Sequence, residues 1–151
     1  MSSIVLVDTT ILLNMLDVPE RNQQREKVWG DFKRRIEDND HLFIPLATII
    51  ETGNHIAHVD DGRLRRQAAE RFVEAVRGAL NDSAPWKPLN FPSHADLSEW
   101  LVDFPDSAMK EVGMGDLSIQ KEWKQLRIKY PMSRVLIWSL DNHLQSFDRS
   151  G

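Results

Sequence analysis

Three short, largely apolar runs predict buried strands at residues 4–7, 41–44 and 135–138. A strand with one wet face alternates apolar and polar positions, whereas a strand covered on both faces is apolar along its whole length. The runs therefore favour a parallel sheet with helices on both sides. A further short strand is predicted at residues 89–91, within the proline-rich, irregular stretch from Asn81 to Pro92.

Between these runs, apolar residues recur every three or four positions, which is the period of an amphipathic helix. The clearest helix covers residues 63–80, with an apolar residue at every fourth position from Leu64 to Leu80. Alternating strands and helices predict an α/β protein, and the length fits one domain over residues 1–151. Ile50 and Leu97 are expected to face the core. The other helices are predicted from a Thr9 or Thr10 cap, from Asp17–Glu20 to Asp38, from Ala47 to Val59, from Ser93 to Pro105, from Asp116 to Lys129, and over residues 143–147.

The composition is that of an ordinary globular protein, with 41% hydrophobic and 28% charged residues. The absence of cysteine excludes disulfides and thiolate metal sites. No basic leader or long apolar stretch is present, so we expect a cytoplasmic protein without a membrane span. The net charge of −4 argues against a nucleic-acid coat protein, although an enzyme could still grip nucleic acid locally.

Four acidic residues stand where strands of such a sheet end or the next helix begins. Asp8 follows the first apolar run and Asp141 closes the last one. Glu51 lies one turn into the helix after the second run, and Asp116 opens a helix after Gly115. Sites in α/β sheets form outside the carboxyl ends of the strands, so we expect these acids to converge there.

Crowded carboxylates repel one another, and therefore take up protons or bind cations. Oxygen ligands suit Mg²⁺ or Mn²⁺, and such a site can hydrolyse a phosphodiester. Each acid also has a purely structural interpretation: Asp8 and Asp141 could cap helices, Asp116 could stabilise a helix N-terminus, and Glu51 could be solvated. It is the combination that favours a metal site.

Four segments resemble, in order, the four motifs of PIN-domain ribonucleases: IVLVDTTILLN, FIPLATIIE, GMGDLSI and VLIWSLDNHLQSF. The resemblance implies a PIN-like α/β fold, with a central, mostly parallel twisted sheet and helices on both faces. It also implies metal-dependent cleavage of RNA, with Mg²⁺ or Mn²⁺ as cofactor. By motif position the metal-site residues are Asp8, Glu51, Asp116 and Asp141. Ser139 matches the polar residue before the last acid, and Thr9, Thr10 or Asn14 could add hydrogen bonds.

Many small members of that family resemble the toxins of bacterial toxin–antitoxin pairs. The resemblance therefore implies an RNA substrate, an antitoxin or other inhibitory protein as partner, and a homodimer. Two features depart from the usual toxin. The segment from Asn81 to Asp106 is long and proline-rich, and the chain stops soon after Asp141, so we expect the final edge strand to be missing.

Other residues carry two interpretations each. Arg63 and Arg66 belong to a run of arginines that could steer RNA, although a solvated helix face paired with Glu70 and Glu74 fits as well. His55 shares a helical face with Glu51 and could contact phosphate, contribute to a zinc site or face solvent. Trp86 could stack on a base or be buried under its loop.

Two other functions compete with the nuclease. A catalytically inactive PIN-like protein could act as a protein- or RNA-binding subunit. A phosphoryl-transfer enzyme or a phospho-acceptor domain could use Asp8 as its nucleophile. The second is disfavoured, because haloacid-dehalogenase-like enzymes carry another aspartate where this chain has Thr10.

Overall fold

A computed structural model describes residues 2–149 as a five-stranded sheet surrounded by seven helices. The strands are β1 (Ile4–Val7), β2 (His41–Ile44), β3 (Trp86–Pro88), β4 (Val135–Trp138) and β5 (Asp148–Arg149). The helices are α1 (Thr9–Met15), α2 (Arg25–Glu37), α3 (Leu46–Ile56), α4 (Gly62–Leu80), α5 (His94–Met109), α6 (Met114–Lys129) and α7 (Asn142–Gln145).

The strand order is β3-β2-β1-β4-β5, and every neighbouring pair is parallel except β4 and β5. Ile4 of β1 pairs with His41 on one side and with Val135 on the other. The expected α/β class and the strands at residues 4–7, 41–44 and 135–138 are therefore confirmed. The parallel alignment brings the carboxyl ends of β1, β2 and β4 to one edge.

Side chains that alternate along β1 and β4 feed two separate cores. Val5 and Val7 of β1 pack with α1, α2 and α4 on one face of the sheet. Ile4 and Leu6 pack with α6 and α7 on the other face. Covering on both faces explains why these strands are apolar throughout. No helix within residues 2–149 is long and apolar enough to cross a bilayer.

Several predicted boundaries are wrong for identifiable reasons. The second long helix begins at Arg25 rather than at Asp17–Glu20, because Asp17 and Glu20 adopt positive φ values of 55° and 73°. The first helix is capped by Asp8, not by Thr9 or Thr10. Helix α5 continues past Pro105 to Met109. The carbonyl that loses its N–H partner there belongs to Leu101, an exposed residue.

The two edge strands also differ from expectation. The strand after Asn81 forms at Trp86–Pro88 instead of residues 89–91, and Pro88 is tolerated because β3 is an edge strand. The final edge strand, expected to be missing, is present as β5. Arg134 donates two hydrogen bonds, of 3.0 and 2.7 Å, to Asp148, and this ion pair holds β5 beside β4.

Candidate active site

Asp8 is the buried centre of the carboxyl edge of the sheet. Its backbone N–H donates to the carbonyl of Trp138 at 3.0 Å, which continues the pairing of β1 with β4. Its side chain is the N-cap of α1, with Oδ2 accepting from Thr10 N at 3.4 Å. The same oxygen accepts from Thr10 Oγ1 at 2.9 Å and from Ser139 Oγ at 2.7 Å. These donors stabilise a negative charge at a position that is only 5% exposed.

The hydroxyls of Thr10 and Ser139 join the two strand ends. Thr10 Oγ1 accepts from the N–H of Leu140 at 2.9 Å, and Ser139 Oγ accepts from the N–H of Asp141 at 2.9 Å. Each hydroxyl therefore accepts from the loop after β4 and donates its proton to Asp8. This network fixes the position of Asp141 relative to Asp8.

Glu51 reaches the same edge from α3. Thr9 Oγ1 donates to Glu51 Oε2 at 3.2 Å. On its other side the carboxylate rests against Gly115, where an added Cβ would overlap with Oε1. Glycine is therefore required at position 115 for Glu51 to keep this position, and the contact joins α3 to α6.

Asp116 and Asp141 complete the acidic group. Asp116 lies in the first turn of α6, half-buried, while Asp141 is exposed and caps α7 by accepting from His143 N at 2.9 Å. Burial, together with the charges of Asp8, Glu51 and Asp141, raises the pKa of Asp116 to about 6, against an opposing effect of His143.

The pKa of Glu51 is also raised, first by burial and then by the charge of Asp8, while the hydrogen bond from Thr9 acts in the opposite direction. The acids are therefore close enough for their charges to interact.

All four acids line one open cleft of about 340 Å³. No lysine or arginine within residues 2–149 forms an ion pair with any of them. In the same part of the chain, no three His, Asp or Glu side chains already approach closely enough to share one metal ion. The cleft therefore supplies the donors of a hard-cation site without a closed ligand shell.

The remaining predicted residues divide between the cleft and the rest of the surface. His55 lines the cleft, and its pKa is lowered by burial and by the nearby charges of Arg21 and His58. Asn14 also lines it, but its side chain donates to Thr10 O at 2.8 Å and accepts from Gln24 N at 2.9 Å. Asn14 therefore links the backbone of α1 to the segment before α2, and it forms no hydrogen bond with the four acids.

The structure does not bring Arg63 and Arg66 to the cleft. They lie on α4, where Arg66 pairs with Glu70 at 3.3 Å and both side chains are exposed. Arg71 of the same run donates to the carbonyls of Leu16 and Asp17 and so closes the end of α1. The arginines of α4 therefore face solvent or hold neighbouring backbone, and none of these contacts involves the cleft.

Trp86 follows the structural interpretation as well. Its Nε1 donates to the carbonyl of Ala75 at 3.2 Å, and its ring packs on Phe32 with centroids 6.0 Å apart. The side chain is half-buried between β3 and the helices below it. It is therefore not presented to a base or a partner.

Sequence reasoning missed two features of the cleft. Arg21, Gln23 and Gln24 line its rim from the segment that was assigned to a helix. The contact of Gly115 with Glu51 was missed too, although a glycine directly before Asp116 is a visible signal of close approach.

Comparison with protein-family models, with curated proteins and with solved structures gives no match. The resemblance to PIN-domain ribonucleases therefore depends on the motifs and on their placement at the cleft.

Proposed function

We propose that this protein is a metal-dependent endoribonuclease with a PIN-like fold, which hydrolyses phosphodiester bonds of RNA. The observation that carries the proposal is the cleft at the carboxyl edge of the sheet, where Asp8, Glu51, Asp116 and Asp141 meet and no lysine or arginine of residues 2–149 forms an ion pair with them. Uncompensated carboxylates in one cleft favour a cation, because each charge destabilises the next.

The donor set fits Mg²⁺ or Mn²⁺ in kind, since these ions prefer carboxylate oxygens and retain several waters. Asp8, Glu51, Asp116 and Asp141 would hold the ion. When bound there, a divalent cation supplies a nucleophile from water at neutral pH and stabilises charge on the phosphate.

The residues around the acids position them. Thr10 and Ser139 hold Asp8 through its Oδ2, Thr9 donates to Glu51, and Gly115 leaves space for the Glu51 carboxylate. Arg21 is the guanidinium on the cleft wall, and it can contact a phosphate oxygen of the strand beside the acids. Ordered supports of this kind reduce the reorganisation that a reaction requires.

The decisive test is RNA cleavage in Mg²⁺ or Mn²⁺ by the native chain and by Asp8→Asn and Asp116→Asn. Loss of a residue that merely supports a metal ligand costs about 10- to 100-fold, so we expect a loss of at least about 100-fold for each ligand variant. Asp106→Asn, an exposed carboxylate on α5, is the matched control and should be unaffected. Activity that survives both ligand substitutions, or that resists a chelator, overturns the proposal.

A second candidate is a catalytically inactive PIN-like subunit that binds RNA or protein. The observation in its favour is that no three acids in residues 2–149 already stand at metal-sharing distance. Calorimetry distinguishes the two: absence of Mn²⁺ binding with RNA binding intact favours the second. The toxin role, the antitoxin partner and the homodimer remain predictions of the resemblance.

A further inference from the structure

An apolar groove of about 530 Å³ adjoins the acidic cleft on the far side of Glu51. Ile50 and Leu97, which were expected to face the core, line this groove with 53% and 44% of their surfaces exposed. Phe91, in the segment before α5, is 63% exposed there. Open apolar surface of this size beside a polar site is typical of ligand binding.

A single buried acid, Glu122 of α6, lies in the floor of the groove. It is 7% exposed, and no hydrogen bond from residues 2–149 reaches its carboxyl group. Burial, with a smaller effect of the Asp96 charge, raises its pKa to about 7. Buried polar groups are nearly always hydrogen-bonded, so Glu122 is an acceptor without a hydrogen-bond donor among residues 2–149. Trp100, also in this wall, adds a buried aromatic surface.

The groove and the cleft adjoin each other at Glu51. Glu51 lines both, and Gly115, which contacts the Glu51 carboxylate, lines the groove. A strand whose phosphate lies over the acids would therefore carry its neighbouring base towards the groove.

We propose that this groove is a subsite for one unpaired nucleobase of the RNA substrate, with Phe91 against the base face and Glu122 accepting hydrogen bonds from its edge. The inference rests on the proposed ribonuclease function. Single-stranded RNA is recognised in this way, by stacking on aromatic side chains and by hydrogen bonds to base edges. An apolar protein segment would cover the walls, but its side chains carry no hydrogen-bond donor for Glu122, whereas the edge of a nucleobase does.

The chemistry of the floor favours guanine. Guanine presents two adjacent N–H donors on its Watson–Crick edge, which match the two oxygens of a carboxylate. Uracil presents one N–H between two carbonyl oxygens, and those oxygens would face the acid. The subsite therefore selects the base next to the cleaved bond.

The test is fluorescence anisotropy with labelled pentauridylate and with pentanucleotides carrying one central G, C or A. Ca²⁺ replaces Mg²⁺, because it neutralises carboxylates while fitting octahedral geometry poorly, and a gel verifies that the RNA is intact. We expect the G-containing strand to bind about tenfold tighter than pentauridylate. Glu122→Gln should reduce this difference to less than about twofold, and Phe91→Ala should weaken all four strands about tenfold.

The matched controls are Glu70→Gln and Ile128→Ala, an exposed acid and an exposed apolar residue that do not line the groove. They should change neither affinity nor preference. Thermal melting of each variant verifies that it is folded, and Phe91, being exposed, can be truncated without a loss of core packing.

The outcomes separate this inference from the nuclease itself. A guanine preference that depends on Glu122, without cleavage in any metal, supports the subsite and removes the nuclease. Cleavage that needs Asp116 but ignores Phe91, Glu122 and base identity overturns the subsite alone. Absence of RNA binding also overturns it. If Phe91→Ala alters the sedimentation of the protein instead of its RNA affinity, the groove is a protein interface and the inference is wrong.

Discussion

The cleft and the groove on the two sides of Glu51 contain carboxyl groups that are almost equally buried but differently supported. Asp8 is 5% exposed and Glu122 is 7% exposed. Asp8 accepts hydrogen bonds from Thr10 and Ser139, whereas Glu122 accepts none from residues 2–149. Equal burial therefore does not mean equal support. Hydrogen-bond donors offset the lost solvation at Asp8, and none among residues 2–149 does so at Glu122.

Gly115→Ala acts where the cleft and the groove meet, beside Glu51, and has the largest expected effect. The new Cβ would overlap with Glu51 Oε1, so the carboxylate must move away from its position. A displacement of this size near reacting groups costs about 100-fold in rate. The helix itself should gain up to about 1 kcal/mol, since alanine is the better helix former.

The measurement for Gly115→Ala is RNA cleavage together with denaturant unfolding. Gly30→Ala is the matched control, because Gly30 lies within α2 with nothing near its added Cβ. Gly30→Ala should gain up to about 1 kcal/mol in stability with unchanged activity. Equal activity of the two variants would mean that the position of Glu51 does not matter.

Glu122→Gln tests the unsupported side of the comparison. The folded protein raises the pKa of Glu122 from its ordinary 4.5 to about 7. Below about pH 4.5 the carboxyl group is protonated in both the folded and the unfolded state, so it does not lower the free energy of unfolding there. Stability is lost as pH rises from 4.5 to 7 and stays lost above that. The pKa shift corresponds to about 3 kcal/mol of lost folding stability above pH 7. The buried glutamine amide of Glu122→Gln keeps part of this loss, because it is also a polar group.

We therefore expect Glu122→Gln to raise the free energy of unfolding by about 2 kcal/mol at pH 8 and to change it little at pH 4.5. Urea unfolding of both proteins across this range measures the difference. A difference that is constant with pH would contradict the buried, unpartnered state of this acid. Glu70→Gln, at an exposed position, should give no pH-dependent difference.

Ser139→Ala tests the supported side. It removes a donor to Asp8 and the acceptor for the Asp141 N–H. We expect a loss of about 1–2 kcal/mol in stability and about a tenfold loss in Mn²⁺ affinity. Calorimetry with Mn²⁺ measures the change in affinity. Ser146→Ala is the control, because Ser146 is exposed and its hydroxyl donates to the carbonyl of His143 instead of to Asp8. Unchanged Mn²⁺ binding would show that the hydroxyl does not position Asp8.

Arg66→Ala should have the smallest effect, because it lies outside both regions. Its ion pair with Glu70 is exposed, and such pairs contribute less than about 1 kcal/mol. RNA affinity should change less than twofold. Filter binding at two salt concentrations measures this, and a loss of salt dependence in the variant would reassign α4 to the RNA interface.

The sequence was most informative where local pattern and burial agree. Continuous apolar runs identified β1, β2 and β4 correctly, because only strands covered on both faces read that way. Acids at the ends of these runs were correctly expected at one edge, since parallel strands end together. The predicted helix boundaries were less accurate in the segments between elements. Asp17 and Glu20 there adopt left-handed backbone conformations that the helical pattern does not reveal.

Chain order and apolar periodicity alone specify the α/β class and the edge where Asp8, Glu51, Asp116 and Asp141 meet, because burial imposes a period on each element. Tertiary packing selects the contacts between distant segments. It places Ser139 against Asp8, places Gly115 against Glu51 and, within residues 2–149, leaves Glu122 without a hydrogen-bond donor. These contacts depend on how helices and strands dock, which no local period encodes.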